Sequence, residues 1–397
     1  MALTRRDFTR GSAGALALAT SPLARPALAQ TEPVRIAWIA TLTGPLSAPG
    51  IGFDRGVRWA AETINAKGGA KGPLLDIITR DTQGDPTKAV NTTQEMISSV
   101  KAHAAFGPHN SGESLAVTPI MAKARLPDLH SGVLNALIDP VKYPNAFRLA
   151  PSNTQWDDAV RNYCLKILKA KTVAITGDAT GYGTSAVQAS VASFKADGAS
   201  IVYDNPIEAT QPDLTADLVR MRDAGAEAIV CWTVSTGMAA RMMNARASIG
   251  WDVPIIGHPV LGSGDVASLI AKPENWRKVY MVGYRSCSFD ANGKLPPQTQ
   301  EFVDRVKGKI SLSDTSLWWV LLAVDGITLI AEAVEKSGSS TSEAIIGQLN
   351  TVRDYPGLFG RYNYTPEQHN GFPTADVVMS EANSQRDGAF TIAPGYG

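Results

Sequence analysis

Residues capable of chemistry gather in one short stretch, His109-Asn110-Ser111-Gly112-Glu113-Ser114. It follows Ala104-Ala105-Phe106, a small apolar run that reads as the end of a buried strand. Gly107 and Pro108 break that strand, because Gly permits unusual φ and Pro cannot donate to a ladder. Asn110 and Ser111 are helix N-cap types, and a helix continues through Leu115 to Ala124. Strand, turn, hydroxyl-rich loop and helix start together leave free backbone N–H groups at the positive end of a helix dipole. Such a loop seats a carboxylate or another anion without a charged side chain. An ordinary capped βα turn has the same local pattern, so the rest of the chain must decide.

Other chemistries find less support. His109, His130 and His258 each fall just after a predicted strand, where they could serve as base or metal ligands around one cleft. Asn110-Ser111-Gly112 is not a nucleophile elbow, since no Gly stands two residues before the Ser. No P-loop, H-E-x-x-H or G-x-G-x-x-G occurs. The expectation is no enzyme, no metal and no cofactor. Each His is then a loop residue bonded to its neighbours or to a ligand.

The elements that must position these loops alternate strictly. Strands are predicted at Val34–Ala40, Leu74–Ile78, Ala104–Phe106 and Pro127–Leu129, with helices at Gly56–Lys67, Asp85 to about Val100, and Leu115–Ala124. Phe147 to Ser152 reads as a change of domain, after which the alternation restarts. Strands follow at Thr172–Thr176, Ile201–Tyr203, Ala228–Trp232, Val253–Ile256 and Val279–Tyr284, with helices between them. Trp318–Lys336 reads as a core helix, with Trp318 and Trp319 taken as packing. The tail holds β segments at Arg361–Tyr364 and Ala375–Ser380. The fold class is α/β, with parallel sheets whose ligand loops lie outside the carboxyl ends of the strands. Those loops are 41–50, 81–84, 107–112 and 130–136 in the first half.

The ends and the composition bound the rest. Residues 1–29 read as a twin-arginine signal peptide, with Arg5-Arg6, an apolar run at Ala13–Thr20, and Ala27-Leu28-Ala29 as the cleavage site. The product is then expected in the periplasm. Lys plus Arg and Asp plus Glu balance at 37 each; a leader holding four Arg and one Asp leaves a net charge of −3. That balance argues against nucleic acid as a partner. Leu317–Val334 comes nearest to a membrane span, but Asp325 and Glu332 interrupt it. Cys164, Cys231 and Cys287 leave at least one thiol unpaired.

Spread along the chain are Thr43-Gly44-Pro45-Leu46, Ile64-Asn65-Ala66 with Gly68-Gly69, Asp81 with Asp85-Pro86, Phe106-Gly107-Pro108 with Ser111, Phe147-Arg148, Tyr182-Gly183, Pro254-Ile255-Ile256-Gly257, Phe359-Gly360-Arg361-Tyr362 and His369. In this order and spacing the chain resembles the periplasmic solute-binding proteins of branched-chain amino-acid ABC importers. The resemblance implies two Rossmann-like lobes joined by three hinge strands, the type I periplasmic binding protein fold. It places lobe 1 at 30–149 and 284–350 and lobe 2 at 150–283 and 351–397. It implies a ligand carboxylate held by the Ser111 loop and the His130–Leu134 loop, with Tyr182 reaching the ligand from lobe 2. With the loops after the strands, this gives an expected ligand-binding set of Leu46, Ser47, Asn110, Ser111, His130, Ser131, Gly132, Leu134, Tyr182, Trp232 and His258.

The expected solute is a branched-chain or other hydrophobic amino acid. An amine-free aromatic or aliphatic carboxylate, or an amide, is the alternative. Many members carry an acid in the loop that here runs His258 to Gly264, and the nearest acid is Asp265. The implied partners are that small-molecule ligand, an inner-membrane ABC permease and, during export, the twin-arginine translocase. The chain is expected to be a monomer, with a periplasmic sensor as the alternative role.

Overall fold

The computed structural model describes residues 32–70 and 72–396, so the predicted leader at 1–29 lies outside the described residues. Two sheets divide the chain. The first holds β1 (Val34–Ala40), β2 (Leu75–Asp81), β3 (Ala104–Phe106), β4 (Asp128–His130) and β5 (Ala146–Arg148), in the order β2-β1-β3-β4-β5, all parallel. Between them run α1 (Ser47–Ala66), α2 (Pro86–Glu95) and α3 (Ser111–Ala124), and α4 (Asn153–Asn162) follows.

The second sheet repeats the alternation with β6 (Thr172–Gly177), α5 (Gly181–Ala196), β7 (Ser200–Tyr203), α6 (Thr215–Asp223), β8 (Ala228–Trp232), α7 (Thr236–Ser248), β9 (Ile255–Gly257), α8 (Gly264–Leu269) and β10 (Val279–Tyr284). The remaining elements are β11 (Ser288–Phe289), α9 (Pro297–Val306), α10 (Leu317–Ser337), α11 (Ser342–Leu349), β12 (Tyr355–Pro356), β13 (Arg361–Tyr362), β14 (Val377–Glu381) and β15 (Phe390–Thr391). The order of the second sheet is β14-β10-β9-β8-β6-β7, parallel except for β14 at its edge. The chain passes between the sheets three times: after β5, after β10 and before β14.

The first sheet is apolar on both faces, as a parallel sheet between helices must be. Val34, Ile36 and Trp38 face a core that holds Phe53 and Val57 of α1 and much of α10. Ala37, Ile39 and Ala105 face Ala89 of α2 and Val117 and Met121 of α3. α10 is long and apolar enough to cross a membrane, but 83% of its apolar stretch is buried; it is a core helix. The three cysteines are free and buried.

One boundary differs from the expectation. Residues beyond 351 were assigned to the second lobe, yet the 355–370 segment bonds to elements around the first sheet. Asp325 of α10 accepts from the backbone N–H groups of Leu358 (2.7 Å) and Phe359 (2.8 Å) and from the Tyr362 hydroxyl (3.1 Å). His369 stacks on Phe147 with centroids 4.1 Å apart and bonds the Ala146 carbonyl at 2.9 Å. The β segments of this stretch pair only with each other, so buried polar anchors decide its place.

Asp325 also makes stability depend on pH. Burial raises its carboxyl from 3.8 to about 7, against the pull of its donors. Between those values the folded chain holds a proton that the unfolded chain has lost. Its contribution is therefore complete below about pH 4 and is lost as pH rises to 7. Asp325→Asn cannot titrate, so the variant should gain on the parent by up to roughly 4 kcal/mol across that window. Urea unfolding of both proteins at pH 4.5 and 7.5 measures this, and an equal stability difference at the two pH values would refute it.

Candidate functional site

A cavity of about 270 Å³ lies between the two sheets at the carboxyl ends of their strands. At about 30 Å³ per water, it has the room of roughly nine waters and suits a small molecule.

The first turns of several helices build its wall. α1 supplies Leu46 at its cap and Pro49 and Phe53; Gly84 and Pro86 come from the start of α2; Asn110, Ser111 and Gly112 come from α3. Trp156 is in the first turn of α4, Thr180, Gly181 and Tyr182 open α5, and Trp318 and Trp319 open α10. Val234 precedes α7. Local chemistry fixes these starts. Asn110 Oδ1 accepts from the Glu113 N–H at 2.9 Å, and the Thr180 hydroxyl accepts from the Gly183 N–H at 3.2 Å. Ser152 and Gln155 form a reciprocal capping box at α4. Ser235 caps α7 through the Met238 N–H at 3.2 Å.

The wall is aromatic. Trp156 meets His258 edge-on at 5.1 Å and Trp318 at 6.5 Å. Phe53 stands perpendicular to Trp318 at 5.8 Å and tilts against His109 at 5.5 Å. Tyr182 packs edge-on against His258 at 5.4 Å. The Trp156–Trp318 contact brings together helices that follow β5 and β10. Among the described residues, no Asp, Glu, Lys or Arg lines it.

The histidines add no charge. Burial lowers His109 to about 4 and His258 to about 3, so both rings are neutral near pH 7. His258 Nδ1 accepts from the Val260 N–H at 3.0 Å, which leaves the ring proton on Nε2. The Tyr182 hydroxyl, the Trp318 indole N–H and His109 Nδ1 have no hydrogen-bond partner among the described residues.

Of the expected set, Leu46, Asn110, Ser111, Ser131, Tyr182 and His258 line the cavity. Ser47, His130, Gly132, Leu134 and Trp232 do not. In the segment after β4, alternate residues face opposite ways: Ser131 and Val133 face the cavity. Behind them, His130 Nδ1 accepts from the Gly132 N–H at 3.1 Å, and the Leu134 carbonyl accepts from buried Arg148 at 2.9 Å. Arg148 also donates to the Val133 carbonyl at 3.0 Å, so it fixes this loop from the rear. The Trp232 indole turns away under α5 and donates to Ser190 Oγ at 2.7 Å. Ser47 is spent in the turn, its N–H on the Gly44 carbonyl at 3.2 Å.

Pro49, Phe53, Trp156, Val234, Trp318 and Trp319 are wall residues outside the expected set, and His109, weighed there only as one of three cleft histidines, joins them. The two tryptophans do pack the core, as expected, and also face the cavity. The signal for Trp156 and Trp318 was their place in the first turn of a helix that starts after a lobe crossing. Among the described residues there is no group of three His, Cys, Asp or Glu that could hold a metal.

The sequence profile of the periplasmic binding protein family matches residues 33–388. Similar chains include the Leu/Ile/Val-binding protein BraC3 of Rhizobium johnstonii, 24% identical over 87% of this chain and 90% of that one. An amino acid binding protein of Pseudomonas aeruginosa is 26% identical over 74% of this chain and 77% of its own. Among solved structures, a periplasmic binding protein type 1 from Bordetella pertussis superposes with a TM-score of 0.80 at 23% identity, over 91% of this chain and all of that one. The branched-chain amino acid transporter substrate binding protein LivJ from Streptococcus pneumoniae, in complex with isoleucine, gives 0.77 at 22% identity, over 90% and 98% of the two chains. These similarities establish the type I periplasmic binding protein fold.

Proposed function

Because this chain belongs to the periplasmic binding protein family, we propose that it is the solute-capturing component of an ABC importer. It holds a small, apolar solute by its carboxylate, in the cavity between the lobes, and hands it to an inner-membrane permease. The observation that carries this is the convergence of helix N-termini that follow strands of both sheets on one aromatic cavity. These termini offer unpaired N–H groups and positive dipole ends to an anion, and the rings take its apolar body. The names of the relatives agree, since they are amino-acid binders of the same length class. The solute leaves when the lobes part about the three crossings, a hinge motion that binding reverses. The protein acts as a monomer in the periplasm, after export by the twin-arginine translocase.

Thermal unfolding against hydrophobic amino acids and small carboxylates tests this. At about 1,000 times its Kd, a native-state ligand adds about 4 kcal/mol and raises the midpoint by several degrees. If no carboxylate raises it, the reading fails. The affinity should also be flat from pH 5.5 to 8, because neither wall histidine titrates there. Calorimetric titration across that range checks it, and a ten-fold change in Kd would refute neutral histidines.

A further inference from the structure

We infer that the solute captured here is a carboxylate with an apolar body and no ammonium group. The inference rests on the carboxylate reading above and narrows it. A zwitterion needs a partner for each charge once water is excluded, because an unpaired buried ammonium is strongly unfavourable. Among the described residues, no carboxylate lines the wall to meet the ammonium.

Several of the wall's side chains have an N–H or O–H left to donate. The Tyr182 hydroxyl and the Trp318 indole N–H are buried without partners, and the tautomer of His258 leaves an N–H on Nε2. Two of the wall's side-chain acceptors are already engaged. Asn110 Oδ1 takes the Glu113 N–H, and Thr180 Oγ1 takes the Gly183 N–H while donating to Asp178.

Asp178 and Glu113, close in the chain to wall residues, do not line the cavity. Asp178 accepts from the backbone N–H groups of Val234 at 2.7 Å and Thr180 at 3.2 Å. It thereby ties two loops of the second lobe together. Glu113 accepts from the Thr41 hydroxyl at 2.8 Å and from the Asn110 amide. Burial pushes its carboxyl up, toward the neutral form. Neither is placed to face an ammonium in the cavity. The helix N-termini compound the selectivity, since the dipole ends that attract an anion repel a cation.

The test uses matched pairs that differ only in the amine, titrated calorimetrically into refolded, solute-free protein. The pairs are 4-methylpentanoate with leucine and 3-phenylpropanoate with phenylalanine. The corresponding amides, 4-methylpentanamide and 3-phenylpropanamide, serve as uncharged controls. The acids are expected to bind roughly a hundred-fold or more tightly than their amino-acid partners, the factor that an unpaired buried charge implies. Leucine or phenylalanine binding as well as its acid would overturn the inference and leave the carboxylate reading standing. Amides binding as well as acids would overturn both, as would failure of every acid to bind. A second arm uses His258→Asp, which can still accept from the Val260 N–H while presenting a carboxylate oxygen to the cavity. It should narrow the preference for the acids by at least ten-fold, and an unchanged ratio would count against the inference.

Discussion

Ser111→Asp is expected to abolish carboxylate binding, with a loss of roughly a thousand-fold, while the protein still folds. Ser111 is buried at the first helical position of α3 and lines the cavity. An Asp there puts a second negative charge within reach of the bound one. Two unit charges about 4 Å apart at an effective dielectric near 20 repel by about 4 kcal/mol, which is about three decades in Kd. The same charge is tolerated by the helix, because Asp in a first turn complements the dipole and Asn110 keeps its capping role. Ser111→Asn is the control: it has nearly the same shape and no charge, and should bind within about ten-fold of the parent. Thermal midpoints without ligand and calorimetric Kd values for all three proteins separate the outcomes. If Asp and Asn weaken binding equally, steric change and not charge is responsible, and the anion site lies elsewhere.

Gly56→Leu is expected to cost on the order of 4 kcal/mol or more and to take the site with it. α1 and α10 approach most closely at Gly52 and Gly56. A Cβ at Gly56 would stand 2.3 Å from the Val320 carbonyl oxygen and 2.8 Å from Ala323 Cβ. A Cβ at Gly52, one turn earlier, would meet the Trp319 ring at 2.8 Å. Backbone cannot yield as a flexible side chain can, so the helices must separate. Their first two turns carry Phe53, Trp318 and Trp319, so the cavity wall opens with them. Gly347→Ala is the counter-example. It is exposed on α11 with nothing within 4 Å of an added Cβ, and should stabilise by up to about 1 kcal/mol through helix propensity. Chemical unfolding of both variants measures the contrast; a Gly56→Leu protein as stable as its parent would mean the crossing is not tight.

This crossing also explains part of what the sequence withheld. The alternation of strands and helices was legible, because apolar runs bounded by Gly and Pro need no tertiary information. The start of α1 was not. Pro45, Pro49, Gly50 and Gly52 read as breakers, so the helix was placed from Gly56 rather than Ser47. Pro49 is in the first turn, where its missing N–H is not needed. Gly50 and Gly52 are required by close approach, since a Cβ at Gly50 would stand 1.9 Å from the Thr41 carbonyl. Misplacing that start hid Pro49 and Phe53 from the site. The Ser111 loop was found because capping residues announce a helix N-terminus locally. The loop after β4 was located, but which of its residues face inward depends on Arg148 behind it, over a dozen residues on. Trp232 was misjudged for a related reason: a strand end says where a ring starts, not which way it turns.

The order of the elements sets a schedule for synthesis. The first sheet is complete at Arg148, but α10, which covers one of its faces, begins only at Leu317. At about 5–20 residues per second, a ribosome takes roughly ten to thirty seconds to deliver that cover. Through that interval the nascent sheet has α2 and α3 on one side and α1 alone on the other, with Trp38, Phe106 and Phe147 incompletely shielded. A half-covered parallel sheet invites association with other chains. The growing polypeptide therefore has a defined window in which a holdase chaperone competes with aggregation, and that window closes when α10 docks.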